Sequence, residues 1–257
     1  MAVLKILGSC SGTEPMPDRH HTSLALMVND RVYFFDAGEN CAYAAHLGGV
    51  PLRSTRAVFL SHTHFDHMGG LMGLFWNIRK LCLCAGQSTA DDEIKLFIPV
   101  PGVWDNLHEA LTNTEGNFKK HFMITPSAPK LGQFYRDENI RVTAFESHHV
   151  RPAEDGTIRS FSYRVDIGSG NFVFSGDIKG LEDLTDAVGD GCDLLLCETG
   201  HHSVREVCDF AESHNVKKLV FIHHGREILE NRPTVAEALN ACKIDTELAF
   251  DGMELSV

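Results

Sequence analysis

The run Ser61-His62-Thr63-His64-Phe65-Asp66-His67-Met68-Gly69-Gly70 places three imidazoles and a carboxylate within six residues, from His62 to His67. It follows an apolar stretch, Ala57-Val58-Phe59-Leu60, and precedes a segment with helical spacing. Polar groups crowded in this way are costly to bury without partners. A cation removes that cost, because neutral imidazole nitrogens and a carboxylate oxygen are ligands that Zn²⁺ or Mn²⁺ accepts. In an extended segment His62 and His64 point the same way and can share one ion. Asp66 and His67, at the turn into the helix, are then free to face a second. Gly69 and Gly70 let the backbone pass close to the metals. The plainer alternative is a solvated His-rich loop, and the strand before and the glycines after speak against it.

Later strand ends offer the same chemistry. Ser147-His148-His149-Val150 closes an apolar strand, Ile140 to Phe145. Ser175-Gly176-Asp177 closes Phe172 to Phe174, and Leu219 to Ile222 runs into His223-His224-Gly225. Taken alone, each such histidine reads as an ordinary polar or capping residue. Together, downstream of the first cluster, they read as metal ligands presented by a rigid scaffold.

The chain shows no internal repeat, low-complexity tract or linker, which predicts one domain over residues 1–257. Val3 to Leu7, Ser23 to Val28, Val32 to Asp36, Ala57 to Ser61 and Leu96 to Val100 read as strands, with Asn29-Asp30 as a hairpin turn. Leu71 to Leu83 and Val103 to Leu111 read as helices. Strands follow at Ile140 to Phe145, Ser160 to Ile167, Phe172 to Ser175, Leu194 to Cys197 and Leu219 to Ile222, with Gly168-Ser169-Gly170-Asn171 as a hairpin loop. Ser203 to His214 reads as a serine-capped helix, Thr234 to Cys242 as a helix after proline, and Glu247 to Phe250 as the closing strand. Two runs of strands, each followed by helices, predict two sheets packed together with helices outside.

Composition narrows the partners. Lys plus Arg is 23 against 35 Asp plus Glu, a net charge of −12, which argues against a surface built throughout to hold nucleic acid. A content of 43% hydrophobic and 23% charged residues is that of a soluble globular protein. The opening run Met1 to Gly8 is too short for a signal peptide, and no stretch approaches the roughly 20 apolar residues that span a bilayer. Eight scattered cysteines, several inside apolar runs, fit free thiols in a reducing cytoplasm. Only Cys82-Leu83-Cys84 invites a metal reading, and no second pair lies near it.

The ordered set of His-x-His-x-Asp-His followed by a His, an Asp and a His resembles the metallo-β-lactamase superfamily over nearly the whole chain. The resemblance implies an α/β fold, a four-layer αββα sandwich of two mixed β-sheets flanked by helices. It implies two divalent metal ions, zinc first, with manganese or iron as substitutes. His62, His64 and His148 would hold metal one, Asp66, His67 and His223 metal two, and Asp177 would bridge them. His148 is preferred over His149 because His148-His149-Val150 fits the branch's His-x-Val pattern.

Within the superfamily, Leu7-Gly8-Ser9-Cys10-Ser11-Gly12 and Phe35-Asp36-Ala37-Gly38-Glu39 resemble the opening of ribonuclease Z and its phosphodiesterase relatives. So do His201-His202-Ser203-Val204-Arg205-Glu206 and Asp251-Gly252-Met253. That likeness makes His201 the candidate to contact or protonate the phosphoryl group, oriented by Glu198, with Asp66 also on the water. Asp36 and Glu39 would support the imidazoles from behind. Only 28 residues separate His148 from Asp177, too few for the long arm with which ribonuclease Z grips tRNA. A small phosphodiester, cyclic or nucleotide-like, is therefore the expected substrate, with tRNA and membranes not expected as partners. The likeness suggests a homodimer. The alternatives are a thioester or lactone hydrolase of glyoxalase-II type, or a metal-binding relative without catalysis.

Overall fold

The structure is a computed structural model that describes residues 2–168 and 170–257. Met1 and Ser169, at the expected N-terminal run and hairpin loop, lie outside the described residues. The chain begins β1 (Ala2–Gly8), β2 (Ser23–Val28), β3 (Arg31–Ala37), α1 (Cys41–Leu47), β4 (Thr55–Phe59) and α2 (Phe65–Met68). Next come α3 (Leu71–Ala85), β5 (Glu93–Phe97), α4 (Pro101–Thr114), β6 (Met123–Ser127), β7 (Gly132–Arg136), β8 (Ile140–Glu146), β9 (Phe161–Ile167) and β10 (Gly170–Phe174). A 3-10 turn (Leu181–Leu184) leads to α5 (Thr185–Val188), β11 (Cys192–Thr199), α6 (Val204–Ser213) and β12 (Val216–His224). The chain ends with α7 (Arg226–Leu229), α8 (Pro233–Ala241), β13 (Asp245–Leu248) and β14 (Glu254–Ser256). These elements form two compact units.

The first unit takes residues 2–8, 20–129 and 251–256. Its seven-stranded sheet runs β14-β1-β2-β3-β4-β5-β6. Pairing is antiparallel from β14 to β3 and parallel from β3 to β6. Asn29 and Asp30 both take positive φ, 45° and 63°, and so close the β2–β3 hairpin with the twist its strands need. Along β3 to β5, Val32, Phe34, Val58, Ile94 and Leu96 pack with Leu71, Leu74, Phe75 and Ile78 of α3 and Trp104 of α4. The alternate residues Tyr33, Phe35, Phe59 and Phe97 are buried as well, and Phe35, Phe59 and Phe97 stack with centroids 5.1 Å apart. Burial on both faces is why these strands read as unbroken apolar runs rather than alternating ones.

The second unit takes residues 9–19, 130–250 and 257. Its sheet runs β13-β12-β11-β10-β9-β8-β7, parallel from β13 to β10 and antiparallel from β10 to β7. Val173, Leu195, Cys197, Leu219 and Phe221 pack against Ala187 and Val188 of α5, Val204 and Val207 of α6 and Val235 of α8. Ser203 caps α6 through a reciprocal pair: its hydroxyl accepts from the Glu206 N–H, and the Glu206 carboxylate accepts from the Ser203 N–H.

Several expectations shift. The strand expected at Leu96 to Val100 lies earlier, because Pro101 already opens α4. The stretch expected to close the chain is β13, an edge of the second sheet, and β14 comes last, beside β1. Elements α1, β6, β7 and β14 were not anticipated. All eight cysteines are free, with Cys82 buried and Cys84 exposed on α3, so the pair shares no face for a metal. No helix among the described residues is long and apolar enough to cross a membrane.

Replacing the capping serine should leave one amide at the start of α6, the Glu206 N–H, without its side-chain acceptor. Ser203→Ala is expected to lower stability by about 1 kcal/mol, read as a lower urea midpoint with unchanged slope.

Candidate metal centre

In the first unit the site begins with an irregularity. Ser23 pairs with Ala37 and Leu24 with Phe35, which leaves Asp36 as an extra residue in β3 with φ 56°. Such a bulge re-aims a side chain. The fully buried Asp36 carboxylate accepts from the Ser61 N–H at 2.6 Å, the Ser61 hydroxyl at 2.7 Å and His67 Nδ1 at 2.7 Å. It thereby ties the end of β3 to the start of the His-rich run. Burial pushes the Asp36 carboxyl up from its ordinary value, while His67 and the two donors of Ser61 pull against it.

These bonds also set tautomers. With Nδ1–H donated to Asp36, His67 presents the lone pair of Nε2, which stands 3.4 Å from Asp66 Oδ2. The Ser61 hydroxyl donates to Asp36, so it accepts from His62 Nδ1 at 3.0 Å, and His62 likewise presents Nε2. The His62 ring lies 4.5 Å from that of His64 and 4.1 Å from that of His67, centroid to centroid. His62 and His67 are buried, whereas His64 is exposed in extended backbone just before α2. A Cβ on Gly70 would stand 2.1 Å from the Gly38 carbonyl oxygen, so only glycine fits behind the run.

The second unit brings its own group together around Asp177, which follows the left-handed Gly176. Asp177 Oδ2 lies 3.6 Å from His149 Nε2, and Asp177 Oδ1 lies 3.3 Å from His223 Nε2. His223 is another bulged residue: Glu198 pairs with Ile222 and Thr199 with His224, and His223 between them has φ 51°. Its ring sits over Gly200, where a Cβ would meet Nδ1 at 2.6 Å. His149, Asp177 and His201 each offer a ligand atom within 4.8 Å of the others, as do Glu198, His201 and His223.

Glu198 is fully buried and accepts from the Ile178 N–H at 3.2 Å, the His201 N–H at 2.9 Å and His201 Nδ1 at 2.9 Å. Burial acts to raise its carboxyl, but the bond from His201 and the His223 ring 3.7 Å away carry it down to about 2. In return the bond to Glu198 raises His201, against its partial burial. His202 turns to the Ile178 carbonyl at 3.4 Å. His224 bonds the Ala249 carbonyl at 2.8 Å, and burial drives its pKa down to about 4, so it is a neutral structural residue.

His148 is the residue that sequence reasoning misplaced. Its ring is exposed and bonds Asp183 Oδ1 through Nδ1 at 2.7 Å, outside the Asp177 group. His148 takes φ 51°, and this left-handed step breaks the strand alternation and turns the next side chain, His149, toward Asp177. His149 therefore replaces His148 in the candidate set. Glu39 pairs with His21 Nδ1 at 2.7 Å rather than with an imidazole of the run. Ser61, Gly200 and Asp183 were missed, because each acts through a partner distant in sequence or adjacent only in the folded strand end.

The donors suit a divalent cation. They are imidazole nitrogens and carboxylate oxygens with no thiolate, the set that zinc, manganese and iron share.

Comparison with known proteins agrees. The family profile described as anti-Pycsar protein Apyc1 matches residues 2–241. The ribonuclease Z of Methanothermobacter thermautotrophicus is 24% identical over 312 residues, covering 100% of this chain and 97% of that one. The ribonuclease Z of Treponema denticola is 31% identical over 156 residues, which span 61% of this chain and 47% of that relative, about half its length. Among solved structures, the short form of human tRNase Z superposes with TM-score 0.75 at 22% identity, covering 100% of this chain and 99% of that one. The metallo-β-lactamase fold protein YhfI from Bacillus subtilis gives TM-score 0.73 at 16% identity, covering 99% and 98%. With two mixed sheets flanked by helices and these His and carboxylate clusters, the fold implies a divalent metal ion. The chain belongs to the anti-Pycsar protein Apyc1 family and is a ribonuclease Z-like, metal-dependent hydrolase with the metallo-β-lactamase fold.

Proposed function

We propose that this chain is a binuclear phosphodiesterase acting on a small phosphodiester, cyclic or nucleotide-like in kind. The observation that carries the reading is the Asp177 carboxylate, whose two oxygens face two different imidazoles, His149 and His223. That is the disposition of a carboxylate shared between two ions. In this reading the candidate ligands are His62, His64, Asp66 and His67 in the first unit and His149, Asp177 and His223 in the second. Zinc suits the donors first, with manganese or iron as substitutes. When bound, such ions supply Lewis acidity toward phosphoryl oxygens and lower the pKa of water towards neutrality.

The chain's own residues do the rest. Glu198 holds His201 through Nδ1, which leaves Nε2 to contact a non-bridging phosphoryl oxygen or to hand a proton to the leaving oxygen. Asp66 accepts a hydrogen bond from the attacking water. The interval from His149 to Asp177 is taken up by β9, β10 and the irregular residues 150–160, too little chain for a tRNA-gripping arm. A net charge of −12 points the same way, away from a polyanion and toward a small substrate. The free cysteines fit a reducing cytoplasm.

His64→Ala and Asp177→Ala should each abolish hydrolysis of bis-p-nitrophenyl phosphate and lower the bound metal measured by mass spectrometry. Wild-type turnover and metal content in either variant would overturn the ligand set. Hydrolysis of a thioester panel with phosphodiesters left intact would instead establish the glyoxalase-II-type reading.

Dialysis against a chelator should remove turnover, and added zinc or manganese should restore it. Glu198→Gln should lower kcat by roughly tenfold or more and lower metal content less than His64→Ala does, because the change loosens His201 and removes the carboxylate behind His223.

A further inference from the structure

Asp183 is buried to 6% exposure in its side chain and sits in the 3-10 turn Leu181–Leu184. Each of its oxygens is engaged by a different loop. Oδ1 bonds His148 Nδ1 at 2.7 Å, and Oδ2 accepts from the Lys179 N–H at 3.0 Å. The same Lys179 N–H also reaches the Ser147 carbonyl at 3.0 Å. One loop carries His149, directly after His148. The other carries Asp177, two residues before Lys179. The pair His149 and Asp177, 3.6 Å apart, is thus flanked by a cross-link made of His148, Asp183 and Lys179.

His148 is also left-handed, a backbone state that side-chain-bearing residues avoid unless surrounding contacts impose it. The bond to Asp183 is the contact the ring makes at close range, with Glu146 farther off at 3.8 Å. Without that bond nothing in the His148 side chain favours the turned conformation over the extended one that β8 would otherwise continue. An extended His148 would swing His149 to the other side of the chain.

We infer that the His148–Asp183 pair is a positioning clamp that fixes His149 against Asp177 and so presets one edge of the metal site. His148 acts through its ring as a backbone anchor, not as a ligand. The inference rests on the proposed metal site, and it assigns positioning roles to two residues outside that ligand set.

Zinc affinity by titration against a chromogenic chelator, together with apoprotein thermal unfolding, tests the clamp. Asp183→Asn and His148→Ala should weaken zinc binding by about 10- to 100-fold, as loss of a partner behind a ligand does. Apoprotein unfolding temperatures should stay near wild type, since the His148 ring is half exposed and an asparagine oxygen at position 183 still accepts from the Lys179 N–H. His148→Asn should bind zinc within about threefold of wild type, because asparagine tolerates the left-handed state and its amide nitrogen reaches the place of Nδ1. A ligand role for His148 predicts the opposite, loss of zinc in His148→Asn as large as in His148→Ala. His149→Ala serves as the control for the underlying site and should lose zinc outright. If His149→Ala loses zinc while Asp183→Asn and His148→Ala keep wild-type affinity, the clamp is wrong and the site stands. If wild-type protein binds no zinc, both fall.

Discussion

The site depends on backbone that leaves its regular course at strand ends. Asp36, His148 and His223 all adopt left-handed φ, between 51° and 56°, and Gly176 does the same just before Asp177. Each non-glycine case costs about 1–3 kcal/mol of local strain. Strands alone send successive side chains to opposite faces, so a regular strand cannot aim neighbouring donors at one point. The bulges at Asp36 and His223 and the turned step at His148 break that alternation where donors are required. The close approaches of Gly70 to Gly38 and of Gly200 to His223 hold the broken segments in place.

Two buried carboxylates show how finely the surroundings decide charge. Asp36 and Glu198 are both fully inaccessible to solvent, yet Asp36 is pushed up and Glu198 is carried down to about 2. Asp36 has one imidazole and the two donors of Ser61, all on the short strand-end segment it braces. Glu198 has His201, His223 and two backbone N–H groups, from Ile178 and His201. Charge follows the number and kind of donors, not depth alone. Glu198 is thereby a fixed anion that keeps a proton on His201 Nδ1, and Asp36 is a brace whose first task is geometric.

Much of this was legible in the amino-acid order. Apolar runs bounded by turn residues located most strands, since burial on both faces leaves no polar interruption. The strands that escaped notice are those that carry little burial. In β6 the pattern alternates exposed and half-buried residues around Pro126, in β7 only Tyr135 is buried, and β14 is three residues long. Their place is set by partners far along the chain, Glu93 to Phe97 for β6 and Val3 to Lys5 for β14. The candidate donors at strand ends were legible as a set, because three apolar strands that run into histidine or aspartate downstream of a His-rich run point to one shared use. The choice between His148 and His149 was not, since it turns on one left-handed residue and on a carboxylate 35 positions downstream.

The same contrast bears on substrate choice. Donors at strand ends are placed by sheets whose fold a Bacillus subtilis protein shares at 16% identity. A scaffold so tolerant of sequence cannot by itself distinguish one phosphodiester from another. Discrimination falls to the segments between strand ends, where binding residues are commonly carried. Here the segment after His149 is short and passes through Asp155 and Gly156 in a tight turn before β9 begins. A long polymer is held by many contacts spread over an extended basic surface, and a net charge of −12 does not favour one, in keeping with the proposed small substrate. A small anion, the substrate class proposed above, would need only the few donors that a metal centre and one imidazole provide, and imidazoles and carboxylates are what the strand ends carry.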